Sequence, residues 1–269
     1  MQQNGICGET MTTTIYDIYN KRVASDTRWS AKARLSDGNV YFFYTDIAKF
    51  EKIANLENAV LILAGNGQLI AQWKDWWFNS LDTSKLPETK DSSGKEAISL
   101  LIIDKKNNEV LFDAGHKYLC FCKETDEVIS VFSGSGNLYA AQCWNLNRCT
   151  DLAIKTASTL DLHTSDIVKY VCFESDDNNV SVPNNDYNTI VDSMLTEGYF
   201  MELNIETAAN DIGEPLSKSK IHDEIAKQLF NGDVVASAPA PGLSNFKWDE
   251  KNKSKFEAAI KKVKELESL

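Results

Sequence analysis

Met11-Thr12-Thr13-Thr14-Ile15-Tyr16-Asp17, a turn at Asn20-Lys21, and then Val23-Ala24-Ser25-Asp26-Thr27-Arg28 form the stretch that decides how the rest of the chain is read. The first arm is rich in Thr, Ile and Tyr, and the second carries Val23-Ala24-Ser25. That composition fits two strands joined by a turn, because β-branched and aromatic side chains pack well on a pleated, half-buried surface. Residues Thr12 to Thr27 are therefore predicted to be a hairpin.

Further strands are predicted over Asn39–Tyr44 and over the apolar run Ala59–Leu63, which closes in Ala64-Gly65-Asn66-Gly67. An apolar run ended by glycines is the pattern of a buried strand feeding a turn or a helix. A helix follows over Gln68–Phe78, with Leu69, Ile70, Trp73, Trp76 and Trp77 on one broad apolar face. Leu81–Gly94 is polar and turn-rich and reads as a loop. Ser99–Ile103 and Glu109–Phe112 read as a strand pair, and Tyr118–Phe121 and Val128–Phe132 as two more strands. Ser133-Gly134-Ser135-Gly136 then introduces two helices, Asn137–Asn145 and Thr150–Leu160, before a last strand at Val168–Phe173. Strands grouped apart from helices indicate an α+β fold with helices layered over sheets.

The pattern is weaker after Glu174. Ser175–Asp186 is polar and acidic, Ile221–Phe230 fits a short helix, and Ala236-Ser237-Ala238-Pro239-Ala240-Pro241-Gly242 has the composition of a linker. Phe256, Ile260, Val263 and Leu266 recur at steps of three and four, which predicts a closing amphipathic helix docked on its own domain or on a partner.

The bulk composition narrows the function classes. With 269 residues, 43% hydrophobic and 25% charged, the chain resembles an ordinary globular protein able to bury a sizeable core. A net charge of −11 argues against nucleic acid, whose phosphates call for clustered Lys and Arg. Lys261-Lys262-Val263-Lys264, the one basic stretch, is balanced by Glu257, Glu265 and Glu267. No run of 18 apolar residues is present, so no membrane span is expected. Met1 to Thr10 have neither the basic start nor the apolar core of a secretion signal. Six cysteines then read as reduced cytoplasmic thiols, and three scattered histidines, His116, His163 and His222, offer no metal spacing.

Three features belong together: the Thr12-Thr13-Thr14-Ile15 strand, the strand end Ala24-Ser25-Asp26-Thr27-Arg28, and Lys49-Phe50-Glu51-Lys52-Ile53 ahead of the strand that ends at Ala64-Gly65. In this order they resemble the proteasome β-subunit family, including the bacterial peptidase that partners an ATP-driven unfoldase. The resemblance continues through Ser133-Gly134-Ser135-Gly136 and Asp161-Leu162-His163-Thr164-Ser165, and covers roughly residues 12–173. It implies an N-terminal nucleophile hydrolase fold, an αββα sandwich. Residues 1–11 would be a removable or non-native leader, 12–174 the catalytic core and 175–269 a C-terminal extension.

The resemblance assigns Thr12 as nucleophile, Asp26 as the carboxylate and Lys49 as the lysine, with Lys52 as its rival. Lys49 is preferred because Phe50 and Ile53 follow it as the family's apolar pair does. It makes the Gly65 N–H an oxyanion donor and gives Ser135, Asp161 and Thr164 the task of positioning the Thr12 amino group. The chemistry asks for these residue types: a threonine hydroxyl is a poor nucleophile unless a base lies beside it. The α-amino group of a first-residue threonine, with an ordinary pKa of about 7.7–8.0, can be that base. A lysine charge favours the deprotonated hydroxyl, and a carboxylate holds the lysine in place. The expected activity is threonine peptidase action on peptides or unfolded protein, without cofactor or metal, in a homo-oligomeric ring dependent on an unfoldase. The alternatives are a non-catalytic proteasome-like subunit and a small-molecule amidase on the same fold.

Overall fold

The structure is a computed structural model that describes residues 12–175, 177–204, 206–238, 240, 242–243 and 246–268; the expected leader, residues 1–11, lies outside them. The fold is mixed helix and sheet, with all strand pairs antiparallel. In the first sheet, β1 (Thr13–Asp17), β2 (Arg22–Asp26), β9 (Tyr118–Phe121), β10 (Val128–Gly134) and β11 (Val168–Cys172) lie in the order β11-β2-β1-β10-β9. The second sheet uses β3 (Trp29–Arg34), β4 (Val40–Thr45), β6 (Ala59–Asn66), β7 (Ile98–Asp104) and β8 (Glu109–Ala114), with β5 (Ile53–Asn55) paired to β6. Three short strands from the C-terminal third, β12 (Tyr199–Glu202), β13 (Glu214–Pro215) and β14 (Ser237–Ala238), complete it in the order β13-β12-β4-β3-β14-β6-β7-β8.

Strand alternation assigns each side chain to a layer. Ile15, Ala24 and Phe132 turn to one side of the first sheet and pack against α2 (Asn137–Asn147) and α3 (Thr150–Ser158) through Ala140, Trp144, Ala153 and Ile154. Tyr16, Val23, Val131 and Val171 turn to the other side and meet Ile53, Val60, Ile62, Leu101 and Ile103 of the second sheet. The opposite face of that sheet, including Leu61, Leu63, Leu100 and Ile102, is covered by α1 (Gly67–Asn79), α4 (Asn188–Glu197), α5 (His222–Asn231) and α6 (Glu250–Glu267). The layers therefore run helices, sheet, sheet, helices. Each fully buried aliphatic side chain in these clusters contributes about 1.5–3 kcal/mol.

Local chemistry fixes the ends of the elements. Asn66 Oδ1 accepts from the N–H groups of Gln68 (2.9 Å) and Leu69 (3.2 Å), so the residue that ends β6 also caps α1. Arg148, in the left-handed region with φ 52°, stops α2 ahead of α3. Asp249 caps α6 by accepting from the Asn252 N–H, and Phe256, Ala259, Ile260 and Val263 bury one side of that helix on its own domain.

Several expectations are corrected. Gly65 lies inside β6 rather than in a turn after it, because Asn66 N–H still donates to Ala97 O at 2.8 Å. Trp29–Arg34, not expected to be a strand, pairs with β4 along its whole length. The linker-like stretch contains β14, with Ala236 and Ala238 fully buried; residues 239 and 241 lie outside the described set. Leu81–Gly94 is largely irregular, as read, with one short 3-10 turn at Thr83–Lys85. Among the described residues, no helix is long and apolar enough to cross a membrane.

Candidate active site

The hairpin β1–β2 brings Thr12 to Asp26. Thr14 pairs with Ser25 in the antiparallel register, so the residues just before and after them converge at the open end of the hairpin. There Thr12 Oγ1 donates to Asp26 Oδ1 at 2.5 Å, and Thr13 N–H donates to the same oxygen at 2.9 Å. The other carboxylate oxygen accepts from the N–H groups of Arg28 (2.8 Å) and Ser165 (3.2 Å). Both Thr12 and Asp26 are buried.

The lysine at this point is Lys52, not Lys49. Lys52 Nζ donates to Thr12 Oγ1 at 2.6 Å, to Asp26 Oδ1 at 2.9 Å and to Asp26 O at 3.0 Å, which uses all three ammonium donors. Its side chain is 1% exposed. Burial pulls its pKa below the ordinary lysine value, against the opposing pull of Asp26. Lys49 is exposed, and its backbone carbonyl is engaged by Asn184 Nδ2. The reason is the path of residues 50–53. Trp29 Nε1 holds Phe50 O at 2.8 Å and Leu63 N–H holds Lys52 O at 2.8 Å, so the chain is pinned beside β6 with Lys52 over the Trp29 ring, 5.7 Å from its centroid.

A second cluster adjoins the first. Thr13 Oγ1 and Thr164 Oγ1 are 2.8 Å apart; Thr164 Oγ1 donates to Asp161 Oδ2 at 2.6 Å, and Ser135 Oγ donates to the same oxygen. His163 N–H caps the other carboxylate oxygen at 3.2 Å. Burial raises the Asp161 pKa, with Ser135 and Thr164 pulling it back. The structure thus brings together the sequence-predicted Ser135, Asp161 and Thr164 and connects them to the Thr13 side chain. Gly134 and Gly136 make the close approach possible: Gly134 has φ +92°, and a Cβ there would strike Thr12 O, while one on Gly136 would strike Thr13 Oγ1.

Ser165 and Arg28 complete the site. Ser165 Oγ contacts both Thr27 N–H (3.0 Å) and Thr27 Oγ1 (2.9 Å). Arg28 makes a two-pronged pair with Asp46 (2.8 and 2.7 Å) and donates to Leu162 O at 2.7 Å, bracing the 161–165 loop against the β2–β3 turn. Ser165, given no role by the sequence, has as its only local signal its place directly after the Asp161–Thr164 segment. Gly65, with φ +132°, pairs with Ile98 on one side and Ala238 on the other; a Cβ there would strike Ala97 O. It belongs to the strand whose Leu63 contacts Lys52 O. Among the described residues, no cluster of three or more His, Cys, Asp or Glu could hold a metal ion.

A hydroxyl that donates to a carboxylate and accepts from an ammonium, all three buried, is set up for deprotonation, because the adjacent cation stabilises the alkoxide.

No family model and no curated protein matches the chain. Among solved structures the chain is similar to Thiobacillus denitrificans BPH in complex with epoxomicin, at 14% sequence identity over 60% of this chain and 96% of that chain, with a TM-score of 0.35. This is a distant likeness of fold.

Proposed function

We propose that the chain is a threonine hydrolase of the proteasome β-subunit type, acting on amide bonds through Thr12 as the first residue of the mature protein. One observation carries the proposal: Thr12 Oγ1 sits 2.5 Å from Asp26 Oδ1 and 2.6 Å from Lys52 Nζ. The helix, sheet, sheet, helix layering supports the N-terminal nucleophile hydrolase fold, with the machinery in residues 12–174.

In the proposed cycle the free Thr12 amine, once residues 1–11 are gone, takes the hydroxyl proton directly or through a water. Lys52 stabilises the resulting alkoxide, and Asp26 keeps the ammonium and the hydroxyl aligned. Thr12 Oγ1 attacks the amide carbonyl, the amine returns its proton to the leaving nitrogen, and water then releases the acyl group. Ser135, Asp161 and Thr164, linked to Thr13, position the amine. The Gly65 N–H is assigned to the developing oxyanion. Peptides or unfolded protein are the proposed substrates; a homo-oligomeric ring and an ATP-driven unfoldase are part of the same proposal, and native mass tests the ring.

The test of the chemistry joins intact mass to labelling by a threonine-directed peptide epoxyketone. The expected result is a chain beginning at Thr12 that gains one adduct, absent from Thr12→Ala. A chain that begins at Thr12 and hydrolyses or binds nothing at that residue would refute the assignment.

A further inference from the structure

The second sheet holds a strand out of sequence order. β14 is two residues long and lies between β3 and β6, which pair with it and, among the described residues, not with each other. Ser237 faces Ser30 on one side and Asn66 on the other, and Ala238 faces Gly65. β14 is antiparallel to both neighbours, so β3 and β6 run parallel to each other with a slot one strand wide between them.

Both walls of that slot lead to the candidate site. β3 begins three residues after Asp26, and β6 holds Lys52 through the Leu63 N–H, two residues before Gly65. The wall on the β6 side is shaped for a foreign backbone. Gly67 N–H donates to Ala236 O at 3.2 Å, and a Cβ on Gly67 would strike that same carbonyl. Besides its pairing to β3 and β6, the segment is held by Ala236 N–H donating to Tyr187 Oη at 2.9 Å and by burial of Ala236 and Ala238 in the core.

The geometry points to Ala236–Ala238 as an internal plug: it occupies the strand position in which an extended peptide would pair beside Thr12, and a substrate enters by displacing it. This inference rests on the hydrolase reading of Thr12. An added strand binds through main-chain hydrogen bonds and draws its specificity from the spaces that receive alternate side chains. Here the alternate side chains are Ala236 and Ala238, both fully buried. The slot therefore takes peptides with small residues two apart, and the resident Ala-Ser-Ala is the model of its ligand.

The plug can be locked without cutting the chain. Ser30 and Ser237 are directly paired across β3 and β14. Facing residues of an antiparallel pair have Cα atoms about 4.5–5.5 Å apart, within disulfide range. In Ser30→Cys/Ser237→Cys, peptide mapping verifies the bond. Binding of fluorescein-labelled Ala-Ser-Ala-amide is then compared in the oxidised and reduced forms. The expected result is affinity weaker by roughly tenfold or more when oxidised, restored by reduction. Equal affinity in the two forms, or binding in neither, overturns the plug. A small threonine-directed β-lactone, which needs no paired strand, reads the catalytic assignment separately. It is expected to label Thr12 in both forms; failure in both refutes the hydrolase reading, while the peptide comparison still decides the plug.

Discussion

Lys52→Met removes the ammonium while keeping most of the side chain's length. Three hydrogen bonds go with it, to Thr12 Oγ1, Asp26 Oδ1 and Asp26 O. The Asp26 side chain, with no exposed surface, keeps its hydroxyl and N–H donors but loses the cation in contact with it. Removing one partner of a buried ion pair costs about 3–5 kcal/mol, and the retained donors place this case near the lower end, about 3 kcal/mol. At about 2–4 °C per kcal/mol for a chain of this size, the midpoint of thermal unfolding falls by roughly 6–12 °C. Adding Asp26→Asn removes the stranded charge and returns part of that loss.

Reactivity behaves differently. Loss of one group that stabilises the charge formed at the reacting oxygen typically costs about 10²–10³ in rate, and the second substitution does not restore it. The assay is thermal unfolding beside the rate of epoxyketone labelling, followed by intact mass. Lys49→Met is the control: the residue is exposed, and both readings stay at the parent level. Parent-rate labelling in Lys52→Met, or a loss that appears in Lys49→Met instead, refutes the reasoning.

Lys74 is buried with one hydrogen bond, to Glu51 O at 3.0 Å, and a contact with the Phe50 ring; desolvation brings its pKa from 10.5 down to about 8. The unfolded chain therefore holds more protons between those values, and the stability of the parent rises with pH by roughly 3 kcal/mol relative to Lys74→Met, read by denaturant titration at pH 7 and pH 10.5. His163, packed on Phe42 and bonded to Ser30 Oγ, is brought by burial from 6.5 to about 3. Its neutral form supplies stability that is complete above pH 6.5 and lost as pH falls toward 3. His163→Gln should be less acid-sensitive over that window by an amount on the order of 4 kcal/mol, and parallel acid-unfolding curves would show the histidine to be irrelevant. Gly134→Ala forces a Cβ at φ +92° into Thr12 O, so we expect about 2–3 kcal/mol of destabilisation and loss of Thr12 labelling; a stable, reactive variant would mean that Thr12 is free to move.

The elements that sequence reading finds are those whose side chains carry a clear period or composition. α1 declares itself through three tryptophans on one face, and α2 and α3 through Ala and Leu runs after Ser133-Gly134-Ser135-Gly136. β3 is missed because Trp-Ser-Ala-Lys-Ala-Arg is mostly small and polar; what makes it a strand is its pairing to β4, a long-range fact. β14 is missed for a sharper reason. Ala-Ser-Ala flanked by proline has linker composition, and only the slot between β3 and β6 turns two such residues into a strand.

The same distinction explains the lysine. Thr12, Asp26, Ser135, Asp161 and Thr164 lie where order along the chain and local motif already place them, at a hairpin end and beside glycines that allow close packing. Between Asp26 and the lysine the chain passes through β3 and β4, and the local pattern, with Phe50 and Ile53 both following Lys49, favours Lys49 over Lys52. The choice is made by contacts that no local pattern encodes. Trp29 holds the Phe50 carbonyl, and Leu63 holds that of Lys52. An ammonium three residues earlier stays in water, whereas the one at 52 has exchanged water for three protein acceptors. Burying a cation costs least where every donor is met, and the fully satisfied lysine beside the Thr12 hydroxyl is the one to which the chemistry is assigned.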